Sequence, residues 1–391
     1  MPENQNAIAA LLPELIAIRR DIHRHPETGF EEHRTAALVA ERLESWGIEV
    51  TRGLAGTGVV GTIRGARPGN RAIGLRADMD ALPISEATGL PWASEVPGKM
   101  HACGHDGHTA MLLGAARILA ARRDFAGTVQ VIFQPAEEIL GGGRRMVEEG
   151  LFERFHVDAV YGMHNEPGLP LGQFALRPGP MLAIADGWQV VLRGSGGHGA
   201  VPHRATDPTV ALGHLILGLQ TIIGRNVPVT EAGVISIGHI AAGDPRADAV
   251  IPAEVTLRGT ARCYTPEVRA VLEARLRALA ESFAAAQGCQ AEVAWMAGYP
   301  AVVNAPAQTE IAIAAAGRVG AVDPAFPPLM AAEDFAYMLQ ARPGAFILLG
   351  NGRAEDGSFH HVHTPMFDFN DAAIPYGVGY WLSLVAQELG G

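Results

Sequence analysis

Lysine is almost missing from this 391-residue chain: Lys99 is the only one among 30 basic Lys and Arg residues. Schiff-base chemistry is excluded unless Lys99 itself performs it, and the remaining positive charge is guanidinium. Cysteine is scarce as well. Cys103, Cys263 and Cys289 are an odd number in a long chain, which argues against a disulfide framework and for a reducing, cytoplasmic setting. No apolar run approaches the roughly 20 residues that a membrane span requires. The opening Met-Pro-Glu-Asn-Gln-Asn has no basic region ahead of an apolar stretch, and Leu11–Arg20 reads as an amphipathic helix, so no signal peptide is expected. Positive charge is in deficit, and a net charge of −11 argues against nucleic acid or an anionic membrane as a partner. The charged fraction is only 18% against 48% hydrophobic residues, which suits a folded chain able to bury two cores.

Against this background, Met100-His-Ala-Cys-Gly-His-Asp-Gly-His108 concentrates three histidines, a cysteine and an aspartate in nine residues. Such a cluster is costly as mere packing, because its members want water or partners. Cys103 and His105 are two apart, so in extended backbone their side chains converge, as a thiolate and an imidazole do around a transition metal. One cysteine without a second Cys-x-x-Cys cannot complete a site, so the remaining ligands must lie elsewhere.

Short apolar runs at Ala72–Ala77, Thr128–Phe133 and Ala159–Met163 suit buried strands, with helical patterns between them at Thr35–Trp46 and His108–Arg122. The alternation predicts an α/β layer with a largely parallel sheet, where chemistry gathers at the carboxyl ends of strands. After about Ala185 the pattern becomes strand Gly187–Arg193, helix Pro208–Ile223, strands Gly233–Ile240 and Val250–Cys263, helix Pro266–Gln287 and strand Cys289–Trp295. This βαββαβ order is ferredoxin-like and predicts a compact insert. Ala345–Gly350 then resumes the buried-strand character. The expected organisation is a discontinuous catalytic domain, residues 1–184 and 298–391, interrupted by a lid over residues 185–297.

Chemistry-bearing residues fall at the predicted strand ends. Glu137 and Glu138 follow Gln134-Pro135. Neighbouring residues are expected to face different ways, so one carboxylate could bind metal while the other handles protons; a solvated acidic loop is the plain alternative. His164 closes Ala159–Met163 as a ligand or as a satisfied core histidine. Asp78 and Asp80 flank a methionine at strand spacing and share a face. His360-His-Val-His363 adds imidazoles in what could equally be a polar loop. Each has a structural explanation alone; together, at strand ends in one α/β domain, they point to a metal centre.

The arrangement resembles the aminoacylase and carboxypeptidase group of dinuclear metallohydrolases, and within it the hippurate hydrolase and indole-acetyl-amino-acid amidohydrolase branch. The matching stretches are Asp21-Ile-His-Arg-His-Pro-Glu27, Arg76-Ala-Asp-Met-Asp-Ala-Leu-Pro83, Met100–His108, Gln134-Pro-Ala-Glu-Glu138 and Gly162-Met-His-Asn165. Gly197-His-Gly-Ala-Val-Pro-His203, Glu333-Asp-Phe335 and His363-Thr-Pro365 follow in family order.

The resemblance implies a phosphorylase/hydrolase-like zinc-exopeptidase fold with a mixed, largely parallel sheet flanked by helices, carrying the ferredoxin-like lid. It implies two divalent ions (Zn, Mn, Co or Ni) on Cys103, His105, Glu138, His164 and His363, with Cys103 bridging. Glu137 matches the general base and Asp80 the acid that supports the metal ligands. His198 matches a histidine that stabilises the reacting carbonyl oxygen, and Arg262 lies where relatives bind the substrate carboxylate. The implied reaction is amide hydrolysis of N-acyl amino acids, by a homodimer or higher homo-oligomer formed through the lid. A dipeptidase or aminoacylase of different substrate range is the alternative enzyme, and a non-catalytic binding protein the alternative outside enzymes. Where relatives usually carry Asn-Val-Ile-Pro, this chain has Ala249-Val-Ile-Pro252, so the acyl group and amino acid stay open.

Overall fold

Four strands built around apolar runs form the centre of an eight-stranded sheet. In spatial order they are Ala126–Gln134, Arg67–Asp78, Ala159–Pro167 and Gly344–Gly352, and neighbours are parallel. Parallel strands are joined by crossovers that cover both faces, so their sequences are continuously apolar rather than alternating. Antiparallel Gly58–Arg64 and Glu49–Leu54 extend one edge. The two-residue strands Phe174–Ala175 and Val322–Asp323 extend the other, giving a mixed α/β sheet that is mostly parallel. The computed structural model describes residues 2–138, 141–353 and 356–390.

The chain divides into two units, Met1–Met181 with Val302–Pro327 and Glu333–Gly391, and Leu182–Ala301 with Pro328–Ala332. Each has its own buried apolar cluster. In the first unit the helices Pro2–Arg24, His105–Arg122 and Ile374–Leu389 pack on one another, the last two also on strand Arg67–Asp78. At this crossing Gly114 admits the neighbours: a Cβ there would lie 2.6 Å from Leu15 and 2.9 Å from Val378 side-chain carbons. The first helix is longer than the expected Leu11–Arg20. Its first turn is polar, so no apolar residue marks where the helix starts.

The second unit has a four-stranded antiparallel sheet in the order Gly233–Ala242, Glu254–Cys263, Ile184–Arg193, Gln290–Tyr299. Its helices begin at proline after a capping side chain. Asp207 accepts from Thr209 N–H ahead of Pro208–Asn226, and Thr265 accepts from Val268 N–H ahead of Pro266–Ala286. The single strand expected over Val250–Cys263 is two. Pro252 has no N–H for a ladder, so Val250–Ile251 pairs instead with Gly197–His198, and the sheet strand starts at Glu254.

Buried charge ties the first helix to His105–Arg122. Asp106 takes Arg19 Nε at 2.9 Å and His23 Nδ1 at 2.8 Å, and His23 Nε2 lies 3.4 Å from Glu86. Burial alone would depress His23, but Asp106 and Glu86 carry it up to about 9. Its folded pKa therefore exceeds the ordinary 6.5, so the pairing stabilises fully below about pH 6.5 and fades as pH rises through about 9. Wild type is expected to lose up to ~3 kcal/mol of its advantage over His23→Gln across that window. Denaturant unfolding at pH 6 and pH 9.5 checks this; a constant gap between the two proteins would remove the ion pair from the account.

Candidate metal centre

The strand order delivers the candidate residues to one edge of the sheet. Strand Arg67–Asp78 ends at Asp78, opposite Gln134, and Asp80 follows. Strand Ala126–Gln134 runs out into Pro135, Ala136, Glu137 and Glu138. Strand Ala159–Pro167 carries His164, paired with Leu348. His105 opens the helix His105–Arg122, and His363 sits in a later loop, its N–H held by Ala102 C=O at 2.7 Å.

Cys103 and His105 do converge, but the extended backbone expected between them is absent. Gly104 is left-handed at φ 88°, turning the chain from the Cys103 loop into the helix. An added Cβ at Gly104 would sit 2.5 Å from Asn165 Nδ2. Gly104→Ala is therefore expected to cost about 1–3 kcal/mol of stability through strain at this conformation, with the Asn165 clash added. A lowered unfolding midpoint together with weaker metal retention checks it; an unchanged midpoint would show that the turn tolerates a side chain.

Among the groups of ligand-type atoms that cluster here, two triads share Cys103. Those of Cys103, His105 and His164 lie within 4.8 Å of one another, and so do those of Cys103, Glu138 and His363. Cys103 belongs to both. Cys103 Sγ is 3.3 Å from His164 Nε2, and His363 Nε2 is 3.1 Å from Glu138 Oε1. Glu137 also reaches the cluster, within 4.8 Å of His105 and Glu138. The expectation that adjacent glutamates face apart thus fails, because they leave the strand through a left-handed Ala136 at φ 52° rather than continuing its alternation.

These residues fit divalent cations. The buried His105 Nε2 makes no hydrogen bond, which is costly unless a further partner takes it. Sulfur, imidazole and carboxylate together suit a transition metal. The partners behind them are oriented. Asp80 sets one oxygen 3.1 Å from His105 Nδ1 and with the other accepts from Glu138 N–H at 3.0 Å, so one carboxylate steadies two candidate ligands. His108 Nε2 accepts from Asn165 N–H at 2.9 Å, so its proton resides on Nδ1, which donates to Asp78 at 2.6 Å. Asn165 Nδ2 in turn donates to Cys103 C=O at 2.6 Å. His108 is thus a brace. His101 is buried beside His23, and burial lowers it to about 4.

The electrostatics show a surplus of acid. Burial first, then Glu333, Glu138 and Asp334, raise the Glu137 carboxyl well above its usual range. Burial, Glu138 and Glu137 likewise raise the Cys103 thiol. Burial opposes charge on His105, yet Asp78, Asp80 and Glu138 push it up to about 10. Burial and the neighbouring His108 push His164 well down, leaving a neutral imidazole. Without a cation the cluster holds its positive charge as a proton on His105. A divalent cation reverses that logic, favouring thiolate and neutral imidazole.

Arg76 counters the acids from beneath. It is fully buried and donates to Asp78 (2.7 Å), Glu333 (2.9 Å), Asp334 (3.1 Å) and Gln134 (2.8 Å). Asp334 N–H reaches Glu137 Oε1 at 3.4 Å. Sequence reasoning quoted Arg76 without a role, although a charge inside the end of an apolar strand was a usable signal. It gave no role to Asn165 either. His198 and Arg262 belong to the second unit. His198 is exposed on the short strand Gly197–His198, its Nδ1 accepting from Ala200 N–H at 3.1 Å, and Gly199 N–H bonds Ala249 C=O at 2.7 Å. Arg262 is half-buried on the sheet strand and donates to Ala261 C=O at 3.1 Å.

A mixed α/β sheet with thiol, imidazole and carboxylate groups converging at its strand ends defines a candidate metal centre, and the class of protein that carries it is a family of metallopeptidases. Residues 74–387 match peptidase family M20/M25/M40, and the chain belongs to that family. It is 39% identical over 377 residues to an N-acetylcysteine deacetylase of Bacillus subtilis, covering 96% of this chain and 97% of that one. It is 37% identical over 389 residues to a hippurate hydrolase of Campylobacter jejuni, covering 97% and 99%. Among solved structures, a dinuclear metal-binding M20 peptidase from Bacillus subtilis superposes with a TM-score of 0.84 at 36% identity, covering 96% of this chain and 98% of that one. The protein is a metal-dependent amidohydrolase that binds divalent metal. Among the described residues no helix is long and apolar enough to cross a membrane.

Proposed function

We propose that the protein hydrolyses the amide bond of N-acyl amino acids, releasing a carboxylic acid and a free amino acid. The observation that carries this reading is the pair of ligand triads sharing Cys103 beside the buried Glu137. Cys103, His105 and His164 would hold one divalent ion, and Cys103, Glu138 and His363 the other, as zinc, manganese, cobalt or nickel. When bound, such ions supply positive charge that polarises a carbonyl and lowers the pKa of water from 15.7 to about 7.

The protein's own groups do the rest. Glu137 takes the proton of the attacking water and returns it to the leaving nitrogen. Asp80 fixes the His105 ring and the Glu138 backbone. His198 donates to the carbonyl oxygen as negative charge develops there, an effect typically of about 3 kcal/mol. Arg262 offers a guanidinium fork for the substrate carboxylate. The names of the relatives support small N-acyl amino acids as substrates: N-acetylcysteine for one, hippurate for another.

A homodimer through the second unit is part of this proposal. Gly233–Ala242 is an edge strand with Val234 and Ile240 exposed, and the helix Pro208–Asn226 exposes Val210 and Leu217. The free thiols Cys103, Cys263 and Cys289 support a cytoplasmic location.

The test is a panel of N-acetyl amino acids including N-acetylcysteine, hippurate and dipeptides, given to metal-reconstituted protein with released amine measured. Metal-dependent release from N-acyl substrates supports the proposal. Release confined to dipeptides would make the protein a dipeptidase, and no release would sink the N-acyl reading.

A further inference from the structure

Glu32 is fully buried and outside both ligand triads, yet its hydrogen bonds converge on strained backbone. Its Oε1 accepts from Ala136 N–H at 2.8 Å and from Phe30 N–H at 3.0 Å, while Oε2 accepts from Thr57 Oγ1 at 2.7 Å. Both of those N–H groups belong to non-glycine residues at positive φ, Ala136 at 52° and Phe30 at 64°. Such backbone is disfavoured for an L-residue and persists only where its surroundings over-determine it. A carboxylate accepting backbone N–H groups makes strong, charge-assisted bonds, so Glu32 can hold a conformation that the chain would otherwise leave.

The location gives the clamp its consequence. Ala136 directly precedes Glu137 and Glu138, and its own C=O accepts from Gly142 N–H at 2.9 Å. The left-handed turn there is what brings two adjacent glutamates into one cluster. Asp80 accepts from Glu138 N–H, so the segment is held at Ala136 N–H, Ala136 C=O and Glu138 N–H.

We propose that Glu32 is a positioning residue whose carboxylate locks Ala136 in the left-handed conformation that aims Glu137 and Glu138 into the metal centre. The proposal rests on the metal-centre reading but not on any particular substrate.

Three variants separate positioning from general structure. Glu32→Ala removes the clamp. Glu32→Gln keeps a carbonyl oxygen for both N–H groups and an amide that can donate to Thr57. Glu32→Ala combined with Ala136→Gly removes the clamp but supplies a residue that adopts positive φ without strain. Zinc affinity by chelator competition and hydrogen exchange of the Ala136 amide are both read on protein free of substrate. Glu32→Ala is expected to weaken zinc binding about 10–100-fold, with Glu32→Gln within about threefold of wild type. The Ala136 amide should exchange faster in Glu32→Ala, and adding Ala136→Gly should recover most of the lost affinity. Wild-type affinity and exchange in Glu32→Ala would overturn the proposal, and so would a loss that neither Glu32→Gln nor Ala136→Gly moderates. Should Glu32→Ala not fold, Glu32→Asp keeps the charge but shortens the reach, and carries the same comparison. If wild type binds zinc yet cleaves no N-acyl substrate, the substrate reading fails while this test stands.

Discussion

Glu137→Gln is expected to lower kcat on the best N-acyl substrate by about 10²–10⁴-fold while leaving metal content unchanged, because what it removes is proton transfer. Glutamine has the shape of glutamate and can still accept from Asp334 N–H, so the segment should stay in place. What it cannot do is take a proton from water at neutral pH. Glu137 is absent from both shared-cysteine triads, which is why the ions should remain. Its surroundings suit a group that must hold and then release a proton. Burial and the carboxylates of Glu333, Glu138 and Asp334 raise its affinity for a proton, while the guanidinium of Arg76 beneath opposes them. Amine release and elemental analysis on the same preparation make the check. If more than about a tenth of wild-type kcat survives, the loss is smaller than general-base removal produces and the proton goes elsewhere. If metal is lost in parallel, Glu137 is a ligand rather than a base.

Much of the site was legible because the sheet is parallel. Strands buried on both faces read as unbroken apolar runs, and polar residues that interrupt or follow their ends, such as His164, Asp80 and Glu137, stand out against that background. Backbone conformation was not legible in the same way. Gly104 permits a left-handed turn without requiring one, and nothing in Pro135-Ala136-Glu137 marks one at all, yet these two turns decide which side chains meet. Glu32 stayed hidden for a related reason: besides Thr57, its partners are the N–H groups of Phe30 and Ala136, which every residue but proline possesses. The strand over Val250–Cys263 was drawn too long, although Pro252 marked the break. Edge strands such as Glu49–Leu54 were missed because their partly exposed residues blur both periodicity and apolar content.

Cys103 has the most to reveal, because it alone belongs to both triads. Cys103→Ala reduces the two triads that share the thiol to pairs, His105 with His164 and Glu138 with His363, where structural and catalytic sites ordinarily present three or four protein ligands, and leaves only Glu137 within reach of both His105 and Glu138. Both ions should therefore be lost or bind far more weakly, and hydrolysis with them. His363→Ala is the necessary contrast. It breaks only the second triad, so one ion should persist on Cys103, His105 and His164. The thiol is a costly group to bury here. Burial and the carboxylates of Glu138 and Glu137 hold it protonated in the absence of a cation, so the site offers a thiolate only to an ion able to displace that proton. Metal-to-protein ratios after dialysis against equal chelator compare the three proteins directly. The ordering expected is wild type above His363→Ala, and His363→Ala above Cys103→Ala. If Cys103→Ala instead matches His363→Ala at one ion, the thiolate serves a single ion, and the second site must be completed by another nearby carboxylate, with Glu137 the nearest candidate.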